Sequence, residues 1–194
     1  MSWWRLRHHD LFIWLNMKPI LIKLSLLLAL PLCIVNAYAR GTYQSEQDFL
    51  NEAFADTPPA ASRLWLKQDE RKIAHEIMQR KVPLRIKYWQ KDKQTAWILE
   101  EIGKEKPITT GIIIQQGKIK KLRVLVFRES RGWEIRYPFF TDQFIHSGLK
   151  TTSNQLDKTI DGITGATLSV RALNKLARLA LYLDQLAVSK KHDA

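Results

Sequence analysis

The chain has 194 residues, of which 45% are hydrophobic and 26% are charged. That length and composition fit one folded domain with a short extension and exclude a disordered tail. The net charge of +12 indicates an anionic partner, such as nucleic acid, lipid headgroups or a phosphate-bearing ligand. Cys33 is the only cysteine, so the sequence excludes an intrachain disulfide and any metal or redox motif built from cysteines.

The amino-terminal segment, residues 1–39, has the features of an export signal. Lys18 and Lys23 precede the uncharged apolar run 24–35, and small residues follow at the cleavage positions within 37–39. We expect a signal peptide or, alternatively, a retained N-terminal membrane segment, although the apolar run is shorter than the roughly 20 residues that span a bilayer. Either outcome places the following domain in the periplasm or on the periplasmic side of the inner membrane, where no nucleic acid is expected as a partner.

Two helices are predicted in the next part of the chain, residues 40–90. Ser45 is placed to cap a helix that ends before Pro58 and Pro59. A second helix is predicted from Ser62 to Arg80, with a loose apolar stripe and charged residues between. We therefore interpret 40–90 as an N-terminal helical extension.

The pattern changes after this extension to strands. Alternating apolar and polar residues predict four of them in chain order, at Arg85–Trp89, Thr95–Leu99, Thr109–Gln115 and Ile119–Phe127. The segment Gln116–Lys118 contains a glycine and predicts a hairpin turn between the last two. Another short strand is predicted at Trp133–Ile135, and a helix is predicted to begin within Phe139–Ile145.

The strongest helical pattern follows residue 167 and runs to about Leu186. Its apolar residues recur at the spacing of one helix face, and Arg171, Lys175 and Arg178 occupy the opposite face. Together these elements predict an α+β fold, in which an antiparallel strand meander packs against helices and the C-terminal helix follows a loop.

That loop, Asp161–Thr167, carries the residues best suited to chemistry. Gly162 and Gly165 let a ligand approach the backbone closely. The first turn of the following helix offers unpaired N–H groups and partial positive charge to a phosphate. The hydroxyls of Thr164 and Thr167 lie there as candidate phosphate acceptors. The same residues also fit plain helix capping, and from the residues alone both interpretations stay open.

The loop resembles the flavinylation motif of the FMN-binding domain family, since it reads Asp161-Gly162-Ile163-Thr164-Gly165-Ala166-Thr167. The family pattern is Asp, two free positions, Ser or Thr, Gly, Ala, and Ser or Thr, and every constrained position matches. The family includes the peripheral flavin subunits of the sodium-pumping NADH:quinone oxidoreductase and of the Rnf complex. The resemblance implies that Thr167 carries FMN through a phosphoester bond. It also implies that an FMN transferase of the ApbE type, with FAD as donor and Mg²⁺, reads Asp161, Gly165 and Ala166.

The resemblance extends upstream and covers about residues 95–183. The hairpin Gly111–Phe127, the segment Glu129–Trp133 and the run Phe139–Phe144 follow one another in the family's order. It implies an FMN-binding domain, which we assign to residues 91–188, followed by a polar tail at 189–194.

Flavin contacts are implied for a second group of residues, Glu129, Arg131, Gly132 and Trp133. Arg131 or Arg171 would pair with the phosphate or with a reduced, anionic ring. Trp133 would stack on the ring. The alternatives are that Arg131 is a solvated turn residue and that Trp133 packs in the core.

The family resemblance implies a stand-alone exported flavoprotein that transfers electrons and is not a catalyst by itself. Its electron donor would be a membrane-bound redox protein, and its acceptor another periplasmic carrier or reductase. No histidine pair has metal-ligand spacing, and no site of independent catalysis is predicted. The alternative is a basic binding module of the cell envelope without flavin. Such a module would use the lysine-rich hairpin around Lys118–Arg123 and the helix face that contains Arg171.

Overall fold

The computed structural model describes residues 41–192, and the predicted export segment 1–39 lies outside them. Within these residues six strands form one antiparallel sheet. They are β1 (Gly41–Thr42), β2 (Ser62–Trp65), β3 (Arg85–Lys91), β4 (Gln94–Ile102), β5 (Pro107–Gln115) and β6 (Lys118–Phe127). The spatial order is β1-β6-β5-β4-β3-β2, so strands β2 to β6 form a meander and β1 pairs with β6. The predicted hairpin is confirmed, because Gln115 pairs with Lys118 across the turn.

Helices cover the two faces of this sheet unequally. They are α1 (Glu46–Phe54), α2 (Gln68–Met78), α3 (Pro138–Thr141) and α4 (Thr167–His192). Helices α2 and α4 contribute to the larger core, with Trp97, Ile112 and Leu176 buried at its centre. Helix α1 packs on the opposite face, where Phe49 and Trp89 share a smaller core. The predicted α+β fold is therefore confirmed.

Two predicted elements differ from the structure. The second helix begins six residues later than predicted and runs only over Gln68–Met78, because Ser62–Trp65 pairs with β3 as a strand. Leu64 is buried and its neighbour Trp65 is exposed, which is the two-residue alternation of a strand. The predicted strand at Trp133–Ile135 is also wrong, since Trp133–Arg136 forms a 3₁₀ helix. Residues 40–90 thus contribute strands as well as helices.

The C-terminal helix is longer than predicted, and part of its charged face is not solvated. Lys175 Nζ lies 3.0 Å from the carbonyl of Met78 and 3.4 Å from Glu101 Oε1. The guanidinium of Arg178 donates to the carbonyl of Asn154. Both cations therefore hold segments against α4, and only Arg171 of the predicted trio is exposed. Among the helices of residues 41–192, none combines the length and hydropathy needed to cross a membrane.

Candidate functional site

The predicted attachment loop forms a tight turn that leads into α4. The Ala166 N–H donates to the carbonyl of Ile163 over 3.0 Å, and Gly165 occupies the turn at φ 83°. A positive φ at this position favours glycine, because a side chain there clashes with the backbone. The carbonyl of Ala166 then accepts from Val170 N–H at 2.9 Å, which begins the helix. Thr167 therefore stands as the first residue of α4.

The hydroxyl residue at this position is open to solvent, whereas the residue before it is buried and anchors the loop. Thr167 is exposed, while Ala166 is buried with only 3% of its surface accessible. Backbone N–H groups in the first turn of a helix have no partner within the helix and carry partial positive charge. The site therefore presents an accessible hydroxyl beside donors suited to a phosphate.

A buried carboxylate holds the backbone on the other side of the site. Glu129 is 6% exposed, and its Oε1 accepts hydrogen bonds from the N–H groups of Lys104, Glu105 and Lys106 at 2.5, 2.6 and 2.9 Å. Burial alone would raise the pKa of Glu129, but these three N–H groups stabilise the charged form and lower the pKa below its ordinary value. The negative charge of Glu129 is thus used inside the protein to shape the 104–106 turn.

The segment after Glu129 packs directly on the attachment loop. Gly132 has φ 81°, and a Cβ added there would lie 3.0 Å from Ser169 Oγ and 3.2 Å from the Cβ of Ala166. A larger residue would crowd Ser169 and Ala166, and these neighbours in the first turn of α4 would have to shift by a few tenths of an ångström. This contact brings together two segments of the sequence motif that lie more than 30 residues apart.

A cavity of about 490 Å³ lies where these segments meet. Five of the predicted site residues line it, namely Glu129, Arg131, Gly165, Ala166 and Thr167. Its other lining residues were not predicted and are Lys104, Ser130, Leu168 and Ser169. Of these, Ser130, Leu168 and Ser169 are sequence neighbours of predicted residues. Lys104 has no signal in the sequence, because only folding of the 104–106 turn onto Glu129 brings it here.

The remaining predicted residues lie around the cavity and do not line it. Asp161 and Thr164 are exposed, and the Asp161 N–H donates to Gln143 Oε1 at 2.7 Å. Trp133 is 38% exposed, so the core-packing alternative is not what the structure has. Its ring meets Tyr137 edge to face, with centroids 5.5 Å apart.

Sequence reasoning did not predict Arg136, a cation that lies among three aromatic rings. The guanidinium of Arg136 lies 4.3 Å from the ring of Tyr43, 4.8 Å from that of Tyr137 and 5.3 Å from that of Trp133. Burial would lower the pKa of Arg136, but the hydroxyls of Tyr137 and Tyr43 raise it overall, so this side chain is a permanent cation. Trp133 and Arg136 lie three residues apart in the 3₁₀ helix and Tyr137 follows it directly, an arrangement that the predicted strand did not indicate.

The basic residues of the hairpin are partnered within the protein. Lys118 forms an ion pair with Asp157 at 2.5 Å, Lys121 forms one with Glu52, and Lys120 donates to Gln94 Oε1 at 2.9 Å. Arg123 lies 3.6 Å from Asp142. These contacts use most of the positive charge that the binding-module alternative would need at the hairpin.

The described residues offer no evidence for a metal centre. Within residues 41–192, no three His, Cys, Asp or Glu side chains are grouped so as to hold a metal ion. His75 and His146 are both exposed. The carboxylates of Glu100 and Glu101 do not form a pair, because Glu101 is buried and Glu100 is exposed on the other side of β4.

Comparison with known proteins assigns the segment that holds this cavity. No curated protein matches the chain. The model of the FMN-binding domain family matches residues 103–182, from the turn held by Glu129 to the middle of α4. The match includes the whole attachment loop and all nine predicted site residues. Residues 103–182 of this chain therefore match an FMN-binding domain.

Proposed function

We propose that the chain is an exported flavoprotein that carries FMN on Thr167 through a phosphoester bond and transfers electrons on the periplasmic side of a bacterial inner membrane. The observation that supports it best is the placement of Thr167. This exposed hydroxyl residue begins α4 and lines a cavity inside the matched FMN-binding domain.

The residues around Thr167 fit an FMN group. The cavity of about 490 Å³ falls within the range of small-molecule sites, roughly 300 to 1,000 Å³. Its wall carries two cations, Lys104 and Arg131, while the one acidic lining residue, Glu129, directs its carboxylate to backbone N–H groups. These cations and the first turn of α4 would hold the phosphate, and the exposed indole of Trp133 would contact the ring.

Attachment to Thr167 is a phosphoryl-type transfer. The Thr167 hydroxyl oxygen forms a bond to the phosphorus of the FMN half of FAD, the phosphoanhydride bond breaks, and AMP leaves. The hydroxyl proton passes to a base of the transferase. Because Thr167 is exposed and Gly165 keeps the loop in a tight turn, a transferase of the ApbE type has access to the hydroxyl.

The chain's own residues then determine how the group is held. Once attached, FMN supplies one-electron and two-electron redox chemistry, and the protein supplies position and electrostatics. Glu129 keeps the 104–106 turn against the site, and the contact of Gly132 with Ala166 fixes the distance between the two walls. Electrons would come from a membrane-bound redox protein and pass to a periplasmic acceptor.

The experiment that tests attachment compares two substitutions at one position. The full chain is produced together with an active FMN transferase, and its intact mass is measured after denaturation. The parent chain and Thr167→Ser should both gain the mass of FMN less water, because both offer a hydroxyl. Thr167→Val, which matches threonine in shape, should gain nothing. Covalent flavin on Thr167→Val, or none on the parent when a control substrate is labelled, would contradict the proposal.

Export is tested separately by fractionating the same cells. Flavin-labelled chain in the periplasm or on the periplasmic side of the inner membrane supports the proposal. Labelled chain confined to the cytoplasm contradicts the proposed location and leaves the attachment at Thr167 standing.

A further inference from the structure

The face of the sheet that carries α1 is left uncovered at one end. Strands β2 and β3 pair there in a register that sets Arg63 opposite Lys87 and Trp65 opposite Arg85. Because side chains alternate along a strand, all four project from the same face. Trp89, two residues further along β3, lies under α1 in the smaller core. The four residues therefore continue that face beyond the helix, and we call them the basic–aromatic patch.

The patch concentrates positive charge that the described protein does not neutralise. No salt bridge joins Arg63, Arg85 or Lys87 to any residue of the described chain. Arg85 lies 5.5 Å from the ring of Trp65, and Lys87 Nζ lies 4.5 Å from the ring of Trp89. Such contacts orient the cations but leave their charge in place. By contrast, the hairpin residues Lys118 and Lys121 form ion pairs with Asp157 and Glu52.

The basic–aromatic patch is unfavourable for the stability of the folded protein, which indicates that it serves binding. Arg63 and Lys87 are directly opposite on neighbouring strands, and like charges at such positions destabilise a sheet. Trp65 is 57% exposed, although burial of its indole ring would be favourable. Cations beside an exposed tryptophan are typical of surfaces that rest at a membrane interface.

We propose that the basic–aromatic patch binds the anionic headgroups of a phospholipid bilayer. Arg63, Arg85 and Lys87 contact the phosphates, and Trp65 lies at the level of the headgroups. Arg63 and Trp65 line an open cavity of about 710 Å³ at the sheet edge, and Arg85 and Lys87 lie on the sheet face beside it, so the four residues together cover an extended surface. The four side chains project from the face opposite the one on which α4 packs, and only the C-terminal end of α4 reaches the sheet edge, where Lys190 donates to the carbonyl of Trp65. The loop at Thr167 is therefore not covered by the bilayer, and the proposal does not depend on flavin attachment.

The test measures co-sedimentation of the full chain with vesicles. One set contains phosphatidylcholine alone, and the other contains equal parts of phosphatidylcholine and phosphatidylglycerol. Binding to the neutral set measures any contribution from the apolar residues 24–35. We expect additional binding to the anionic set, and we expect salt to weaken it as it screens the charges. The triple variant R63Q, R85Q and K87Q should lose this additional binding by roughly tenfold or more.

A matched control removes the same charge elsewhere. Arg71, Lys72 and Lys81 are exposed on α2 or just after it, so the variant R71Q, K72Q and K81Q has the same net charge as the patch variant. It should bind anionic vesicles almost as the parent chain does. Equal loss in both variants would show that only overall charge matters and would overturn the patch. A parent chain with no preference for anionic vesicles would overturn it as well.

A single aromatic variant separates insertion from charge attraction. Trp65→Ser should weaken anionic-vesicle binding while leaving its salt dependence unchanged. Its fold is checked by far-ultraviolet circular dichroism, and because Trp65 is exposed the spectrum should not change. Unchanged binding by Trp65→Ser would overturn the placement of Trp65 at the level of the headgroups.

Discussion

Gly132 and Ala166 lie in contact, and a Cβ built on Gly132 would be 3.2 Å from the Cβ of Ala166. The contact joins the segment after Glu129 to the first turn of α4. Since Gly132 also has φ 81°, glycine satisfies two separate requirements at this position. Glycine at this position therefore lets the segment after Glu129 approach the first turn of α4 closely.

Gly132→Ala should destabilise the domain. A left-handed backbone conformation with a Cβ costs about 1 to 2 kcal/mol, and crowding against Ala166 and Ser169 adds to it. Urea unfolding should show a free energy lower by roughly 1 to 3 kcal/mol than the parent. The exposed neighbour Ser130 provides the control, since Ser130→Ala should change the free energy of unfolding by less than about 0.5 kcal/mol. Equal stability of Gly132→Ala and the parent would refute the packing described here.

Gly165→Ala should impair flavin attachment through the backbone alone. A Cβ at Gly165 meets no atom within 4 Å, so the strain comes only from φ 83°. The turn between Ile163 and Ala166 would shift and misplace Thr167, and the initial rate of FMN transfer should fall several-fold. Gly162→Ala is the matched control, because Gly162 is also open and is absent from the glycines with positive φ. Equal rates for the two variants would show that the turn geometry does not control access.

Glu129→Gln should lose stability in a pH-dependent manner. The pKa of Glu129 is lowered in the folded protein despite its burial, because three N–H groups bind the carboxylate. Its contribution is therefore complete above the unfolded pKa of about 4.3 and is lost as the pH falls through the lower folded pKa. At neutral pH the variant should be less stable by about 2 kcal/mol in urea unfolding. The difference between parent and variant should shrink in acid, and a constant difference would contradict the charge-assisted bonds.

Asp184→Asn should raise stability at neutral pH, whereas Glu129→Gln should lower it. Asp184 is buried at 4% exposure and accepts from Thr95 Oγ1 at 2.5 Å. Burial raises its pKa, and the Thr95 hydrogen bond opposes this only in part. The folded protein therefore loses stability as the pH rises from about 3.9 through the raised pKa, because the charged form is disfavoured. We expect the variant to melt at a higher temperature at neutral pH, by on the order of 1 kcal/mol of stability, and to match the parent in acid. A lower melting temperature at neutral pH would show that the carboxylate is needed in its charged form.

The local sequence was sufficient to predict most of the helices and strands and the motif at Asp161–Thr167. The alternation in Thr109–Gln115 and Ile119–Phe127 predicted the central hairpin, because side chains on a half-buried strand alternate between core and solvent. The segment Ser62–Trp65 was wrongly predicted as helix, since four residues are too few to distinguish a strand from a turn of helix. Trp133–Ile135 was wrongly predicted as strand for the same reason.

By itself the sequence determined that an Asp161–Thr167 loop precedes a long amphipathic helix, because helix periodicity and turn residues are local properties. Only the tertiary structure decided which charged and polar side chains have partners within the protein. Glu129 turns to N–H groups 23 to 25 residues away, Asp184 meets Thr95 across 89 residues, and Lys175 meets Glu101 across 74. Such partners are set by how the sheet and helices pack, and no pattern within a short window of sequence encodes that packing.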